Sequence, residues 1–140
     1  MVKLIVGERG SGKTKRLLDS VSAAAKASKG NVVCIEKGDS LRFGLNHRIR
    51  LININEYEVR GADAYYGFIS GLLAGNYDIT EIFGDATMKI LNSDDKNLED
   101  MADFIVRVEK LAEKIGAEVI FTISCAPADL PERIRKYVIE

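Results

Sequence analysis

Apolar residues recur along this chain with two spacings, and their alternation predicts strands and helices in turn. Val2 to Val6 is an apolar run broken only by Lys3, the pattern of a short buried strand. From Thr14 onward, Leu17, Leu18, Val21, Ala24 and Ala25 fall at helical spacing, predicting a helix from Lys13 to Ser28 that stops at Gly30. Asn31 to Glu36 is β-branched and nearly continuous in its apolar run, as expected for a parallel strand covered on both faces. Ile49 to Ile54 alternates, which predicts a strand with one exposed face outside the core set. Asn55 to Gly61 reads as a connection. Ala62 to Gly75 reads as a helix carrying Tyr65, Phe68, Ile69, Leu72 and Leu73.

The second half repeats the theme. Ile79 to Asp85 is a strand ending in an acid, and Asn92 to Ile115 carries the cleanest helical stripe: Leu98, Met101, Ile105, Val108, Ala112 and Ile115. Ser93 or Asp94 is positioned to cap this helix, Gly116 to end it, and Asp103 to pair with Arg107 one turn on. Glu118 to Ser124 is another buried strand. Pro127 to Arg135 reads as a loop and short helix, and Tyr137 to Ile139 as a final short strand. The alternation defines an α/β protein, a three-layer sandwich around a mainly parallel five-stranded core sheet.

Two stretches resist this pattern. Lys37 to Arg48 carries the turn signals Gly38, Asp39, Gly44 and Asn46 around Leu41, Arg42 and Phe43, with Lys37, Arg42, His47, Arg48 and Arg50 as a local basic group. These charges read as a solvated loop or, alternatively, as a lip beside a phosphate-bearing ligand; His47 has no acidic or cysteine neighbours and receives no role. In the helix from Ala62, Gly67, Gly71 and Gly75 recur on one face. Each glycine costs about 1 kcal/mol relative to alanine, so close approach by another backbone is expected, either the sheet of the same chain or a second subunit.

Composition sets the limits. At 140 residues the chain is expected to form one domain, able to bury about two thirds of its unfolded surface without metal or disulfide. Twenty Lys and Arg stand against 21 Asp and Glu, so any nucleic-acid contact has to be local. Cys34 and Cys125 lie in predicted strands without metal-ligand spacing and read as reduced thiols. No apolar run reaches the ~18 residues of a membrane span, and no signal peptide is apparent. A soluble, cytoplasmic protein is expected.

Against this frame, Gly7, Glu8, Arg9, Gly10, Ser11, Gly12, Lys13 and Thr14 match G-x-x-x-x-G-K-S/T without a departure, between a predicted strand and a predicted helix. Triphosphate oxygens require inward-pointing backbone N–H groups closed by a helix N-terminus. Gly7, Gly10 and Gly12 allow the main chain to approach them. Lys13 supplies a mobile charge for the β and γ phosphates, and Thr14 a hydroxyl for Mg²⁺. Arg9 and Ser11 occupy positions the pattern leaves open. The metal also needs an acid at the end of a neighbouring strand, and Asp85 is the candidate. Ala86 stands where many ATPases have a catalytic glutamate. The N-K-x-D guanine signature is missing, which leaves ATP as the expected nucleotide.

These motifs resemble the P-loop NTPase superfamily, in the branch that includes RecA-like ATPases, AAA-type motors and pumping ATPases. The resemblance implies that the strand ending at Ser124 lies between the loop strand and the Asp85 strand. It implies that Glu36, at the end of the strand after the first helix, orients water, and that Asp85-Ala86 closes the metal strand. Ile123 to Arg135 is similar to the segment after the sensor strand of DNA-pumping ATPases, which gives Ser124 a γ-phosphate sensor role where those pumps carry glutamine at the place of Cys125. Arg133 and Arg135 correspond to arginines that act on a neighbouring subunit's nucleotide. The chain is also similar to small bacterial ATP-binding proteins labelled twitching-motility-ATPase-like, a label that implies no pilus function.

The expected activity is Mg-ATP binding with slow or partner-stimulated hydrolysis, with Lys13, Glu36 and Ser124 as candidate catalytic residues and ATP and Mg²⁺ as ligands. Self-association or a protein partner fits that reading. The alternatives are a binding module that uses ATP without hydrolysing it, and a small-molecule kinase.

Overall fold

The computed structural model describes residues 1–38, 41, 48–93 and 98–139. In chain order the elements are β1 (Val2–Gly7), α1 (Lys13–Ala27), β2 (Asn31–Glu36), β3 (Arg50–Asn53), a 3-10 turn (Ile54–Tyr57), α2 (Ala62–Gly75), β4 (Ile79–Gly84), α3 (Thr87–Ile90), α4 (Leu98–Ile115), β5 (Glu118–Ser124), a second 3-10 turn (Pro127–Asp129) and α5 (Glu132–Arg135). The five strands form one parallel sheet in the order β1-β5-β4-β2-β3. The last long strand is thus inserted between the first strand and β4.

Both faces of the sheet are covered, and this is why its strands are apolar at nearly every position. Ile5, Val32, Cys34, Phe83 and Ile120 point to one side, where Leu17 and Val21 of α1 cover them. Their chain neighbours Leu4, Val33, Ile82, Val119 and Phe121 point to the other side, against Tyr65 and Ile69 of α2 and Met101, Phe104, Ile105 and Val108 of α4. Alternation with period two thus feeds two cores. Tyr65, Phe104 and Phe121 meet at the centre of the larger one, with ring centroids 5.3 to 5.9 Å apart.

Several details depart from the sequence reading. The segment Tyr137 to Ile139 does not form a full strand. It makes a single parallel bridge to β1, with Leu4 N–H donating to the Tyr137 carbonyl at 2.8 Å and Ile139 N–H to the Leu4 carbonyl at 2.9 Å. Helix α3 lies where the apolar pattern assigns no element, and α4 is described from Leu98 onward; Asp94, one of the two expected caps, lies outside the described residues. Arg107 pairs with Asp63 at 2.7 Å, not with Asp103, whose carboxylate takes Arg133 at 2.6 Å.

The glycine expectation is also corrected. Among the described residues nothing beyond the helix's own backbone lies within 4 Å of a Cβ built on Gly67, Gly71 or Gly75, so the sheet of the same chain is not what these glycines accommodate. One tight glycine is Gly30, where a Cβ would meet the Asp78 carbonyl oxygen at 2.3 Å. Helix α1 ends at Ala27, before that glycine, with Ser28 N–H bonded to the Ala24 carbonyl at 2.7 Å. Arg42, Phe43, Gly44, Asn46 and His47 lie outside the described residues. Among the described residues no helix is long and apolar enough to cross a membrane.

Candidate functional site

The strand ends that gather on one rim of the sheet are fixed by register. Gly7 lies beside Ser124, and Gly84 lies beside both Phe121 and Ile35. Ligands collect at such carboxyl rims because side chains from several strands converge there without crossing the core. Asp85 stands one residue past β4, held by its own N–H donating to the Ile35 carbonyl at 2.8 Å.

Between β1 and α1 the chain turns through two left-handed glycines, Gly10 (φ 83°) and Gly12 (φ 89°). Ser11 N–H donates to the Glu8 carbonyl at 3.1 Å, and a Cβ on Gly7 would lie 2.3 Å from the Ser11 hydroxyl oxygen, so Gly7 and Ser11 are bound by shape. Gly12 caps α1 with no side-chain acceptor, and the first turn of that helix contains no acid. Helix starts are ordinarily compensated by such groups.

Lys13 is 9% exposed, and its ammonium donates to the Glu8 carbonyl at 3.0 Å. Burial holds that ammonium below its ordinary range; nearby Asp85 opposes the shift and Arg9 adds to it. Thr14 Oγ1 donates to Asp85 Oδ2 at 3.2 Å, and Thr122 Oγ1 donates to Asp85 Oδ1 at 2.7 Å. Two hydroxyls from two elements thus clamp one carboxylate.

These groups line a cavity of about 680 Å³ with Arg9, Gly10, Gly12, Lys13 and Thr14 on one wall. Asp85, Ala86, Thr122 and Ser124 from the strand ends also line it, as do Met88, Lys89 and Ser93. Among the described residues, Arg9, Lys13 and Lys89 outnumber the single lining carboxylate, which suits a polyanion. Ala86 adopts a left-handed conformation (φ 55°), unusual for a residue with a Cβ, and it turns the chain from β4 into α3 beside Asp85.

Not every residue singled out from sequence reaches the cavity. Gly7, Glu8 and Ser11 shape the loop from behind. Glu36 is buried at the end of β2, where both of its carboxylate oxygens accept from Leu41 N–H at 3.2 Å, and it is not part of the cavity wall. Arg133 is held by Glu99 and Asp103 at 2.9 and 2.6 Å, and Arg135 donates to the Leu130 and Ala128 carbonyls, each at 2.9 Å. Thr122 and Lys89 were missed by sequence reading. Thr122 had a signal, as the lone hydroxyl inside the apolar run of β5; Lys89 had none, because α3 was not foreseen. No group of three or more metal-ligating side chains occurs among the described residues.

No protein-family model matches the chain, and no curated protein matches it significantly.

Proposed function

We propose that the chain is a P-loop NTPase-type protein that binds Mg-ATP in this cavity and turns it over slowly unless a partner completes the site. The observation that carries the reading is the approach of Thr14 to Asp85, 3.2 Å apart at the mouth of an uncompensated helix start. The loop N–H groups and the α1 terminus would take the phosphate oxygens, and Lys13 would exchange its bond to the Glu8 carbonyl for one to phosphate.

The donor set suits magnesium. A hydroxyl and a carboxylate are few protein ligands, but this ion keeps several waters and draws the rest of its shell from phosphates. Thr14 and Asp85 would hold it, and when bound it neutralises charge on the β and γ phosphate oxygens. Thr122 keeps Asp85 oriented, and Ser124 stands at the strand end where a γ phosphate would be met.

Slow turnover follows from what the wall lacks. Asp85 is the only carboxylate lining the cavity among the described residues, and its bonds to two hydroxyls leave it poorly placed as a base. Glu36 is engaged with Leu41. Titration with a fluorescent ATP analogue and magnesium tests the reading: saturable binding that Lys13→Ala weakens by about a hundredfold or more is expected. Absence of binding at millimolar nucleotide, or full binding by Lys13→Ala, would overturn it.

A further inference from the structure

Beside the main cavity lies a second groove of about 350 Å³, lined by Lys37, Arg60, Gly61, Lys89, Ile90 and Asn92. Among the described residues its charged groups are all cations, contributed by three separate segments: the turn after β2, the loop before α2, and α3. None of the three side chains makes a hydrogen bond or ion pair with a described residue. The chain has 21 acids for 20 bases, so this segregation is not forced by composition.

The backbone holds the three segments in place. Gly61 N–H donates to the Ile90 carbonyl at 2.8 Å, tying the loop that carries Arg60 to α3. Gly38 N–H donates to Asn53 Oδ1 at 3.0 Å, which pins the turn that carries Lys37 to the end of β3. Gly61 (φ 87°) and Asn92 (φ 56°) both take left-handed backbone to form the groove. Like charges on a fixed concave surface repel one another, and they focus a positive potential that an anion relieves. Lys89 lines both the groove and the main cavity, so the two are neighbours.

We infer that this groove is a second anion subsite, which binds the phosphate of a small phosphate monoester next to the nucleotide cavity. A volume of about 350 Å³ is at the small end of the ligand-pocket range and fits a ligand of sugar-phosphate size. It is too short a track for a nucleic-acid strand, whose phosphates need a groove running over several nucleotides. The inference stands on the groove itself and does not require that the main cavity bind ATP.

The test is residue-resolved. Amide resonances of the ¹⁵N-labelled full chain are followed during titration with glucose 6-phosphate, with and without saturating Mg-ADP. Saturable shifts at Lys37, Gly61 and Asn92 are expected in both conditions. Arg60→Ala and Lys37→Ala, at exposed positions, are expected to weaken that binding by about tenfold each, and Arg60→Lys to restore part of it, while ADP affinity is unchanged. Shifts confined to residues 7–14, no shifts, or equal affinity in the Arg60→Ala/Lys37→Ala double variant would overturn the subsite. Tighter binding of an oligothymidylate at the same amides would overturn the small-ligand assignment in favour of a nucleic-acid strand. ADP affinity and its response to Lys13→Ala are read separately, so failure of the nucleotide site is distinguishable from failure of the groove.

Discussion

Thr14 Oγ1 donates to Asp85 Oδ2 across 3.2 Å, joining the first turn of α1 to the residue that follows β4. The two are far apart in sequence, and the strand order brings them together by placing only β5 between β1 and β4. With Thr14→Val or Asp85→Asn, ATP affinity measured with magnesium should fall by about 10- to 100-fold, while affinity measured in EDTA should change little. Equal losses in the two conditions would place the pair outside the metal site.

Lys13 gives a prediction about stability as well as binding. Burial lowers its pKa in the folded chain, so the folded state binds the proton less tightly than the unfolded state. The charged ammonium therefore costs stability at neutral pH, and that cost disappears as pH rises from the lowered value toward 10.5, the ordinary one. Without nucleotide, Lys13→Met should melt at or above the temperature of the parent at pH 7, with the gap closing as pH rises toward 10.5. A gap that widens with pH would contradict the sign.

Tyr65 has the one buried side-chain polar atom without a partner, its hydroxyl, among the described residues. Burial pushes its phenol well above the ordinary range, helped by nearby Cys34 and Asp85. Removing the hydroxyl in Tyr65→Phe should stabilise the fold by about 1 kcal/mol in urea denaturation. Gly84→Ala should do the opposite, because its Cβ would lie 2.7 Å from both the Tyr65 hydroxyl and Phe121 Cδ1. A loss of about 1 to 3 kcal/mol is expected, and Tyr65→Phe should recover part of it in the double variant.

Glu36 offers a choice between chemistry and structure. Both of its oxygens accept from Leu41 N–H, so Glu36→Ala should cost about 1 to 3 kcal/mol by leaving a buried donor unpaired. Glu36→Gln keeps an acceptor and should retain ATP affinity. A turnover rate that collapses in Glu36→Gln at unchanged stability would return this residue to the reacting groups.

Cys34 should be inert. Burial, with smaller contributions from Asp85 and Glu36, pushes its thiol up to about 12. Iodoacetamide at pH 8 should leave Cys34 unmodified in the folded chain and alkylate it after denaturation, as read by peptide mass spectrometry. Labelling in the folded chain at the denatured rate would show that the thiol is reachable.

Much of this architecture was legible because the apolar pattern is strong. The bounds of α2 and β2 are those the residues suggested, and the placement of Glu118–Ser124 between the loop strand and the Asp85 strand followed from the resemblance. What escaped the reading was governed by contacts between distant segments. The Gly67, Gly71 and Gly75 face looked packed by spacing alone, but spacing cannot say which side of a helix meets the sheet. Arg107 had two acids within reach, and the tertiary fold gave it Asp63. Helix α3 is too short to show a period, so Lys89 and the far wall of the cavity were invisible. Thr122 is a polar residue in an apolar strand, and its meaning appeared only when Asp85 was found opposite it.

The insertion of β5 has a consequence for the order of assembly. Val2 finds its strand partner at Val119, and the other side of β1 is bridged by the segment around Val138. During synthesis at about 5 to 20 residues per second, the first strand must wait until β5 has been made before it has its strand neighbour. A ribosome-bound fragment ending before β5 would therefore carry the glycine-rich turn intact in sequence yet without the scaffold that shapes it. Vectorial growth thus delays the maturation of this cavity until β5 is in place.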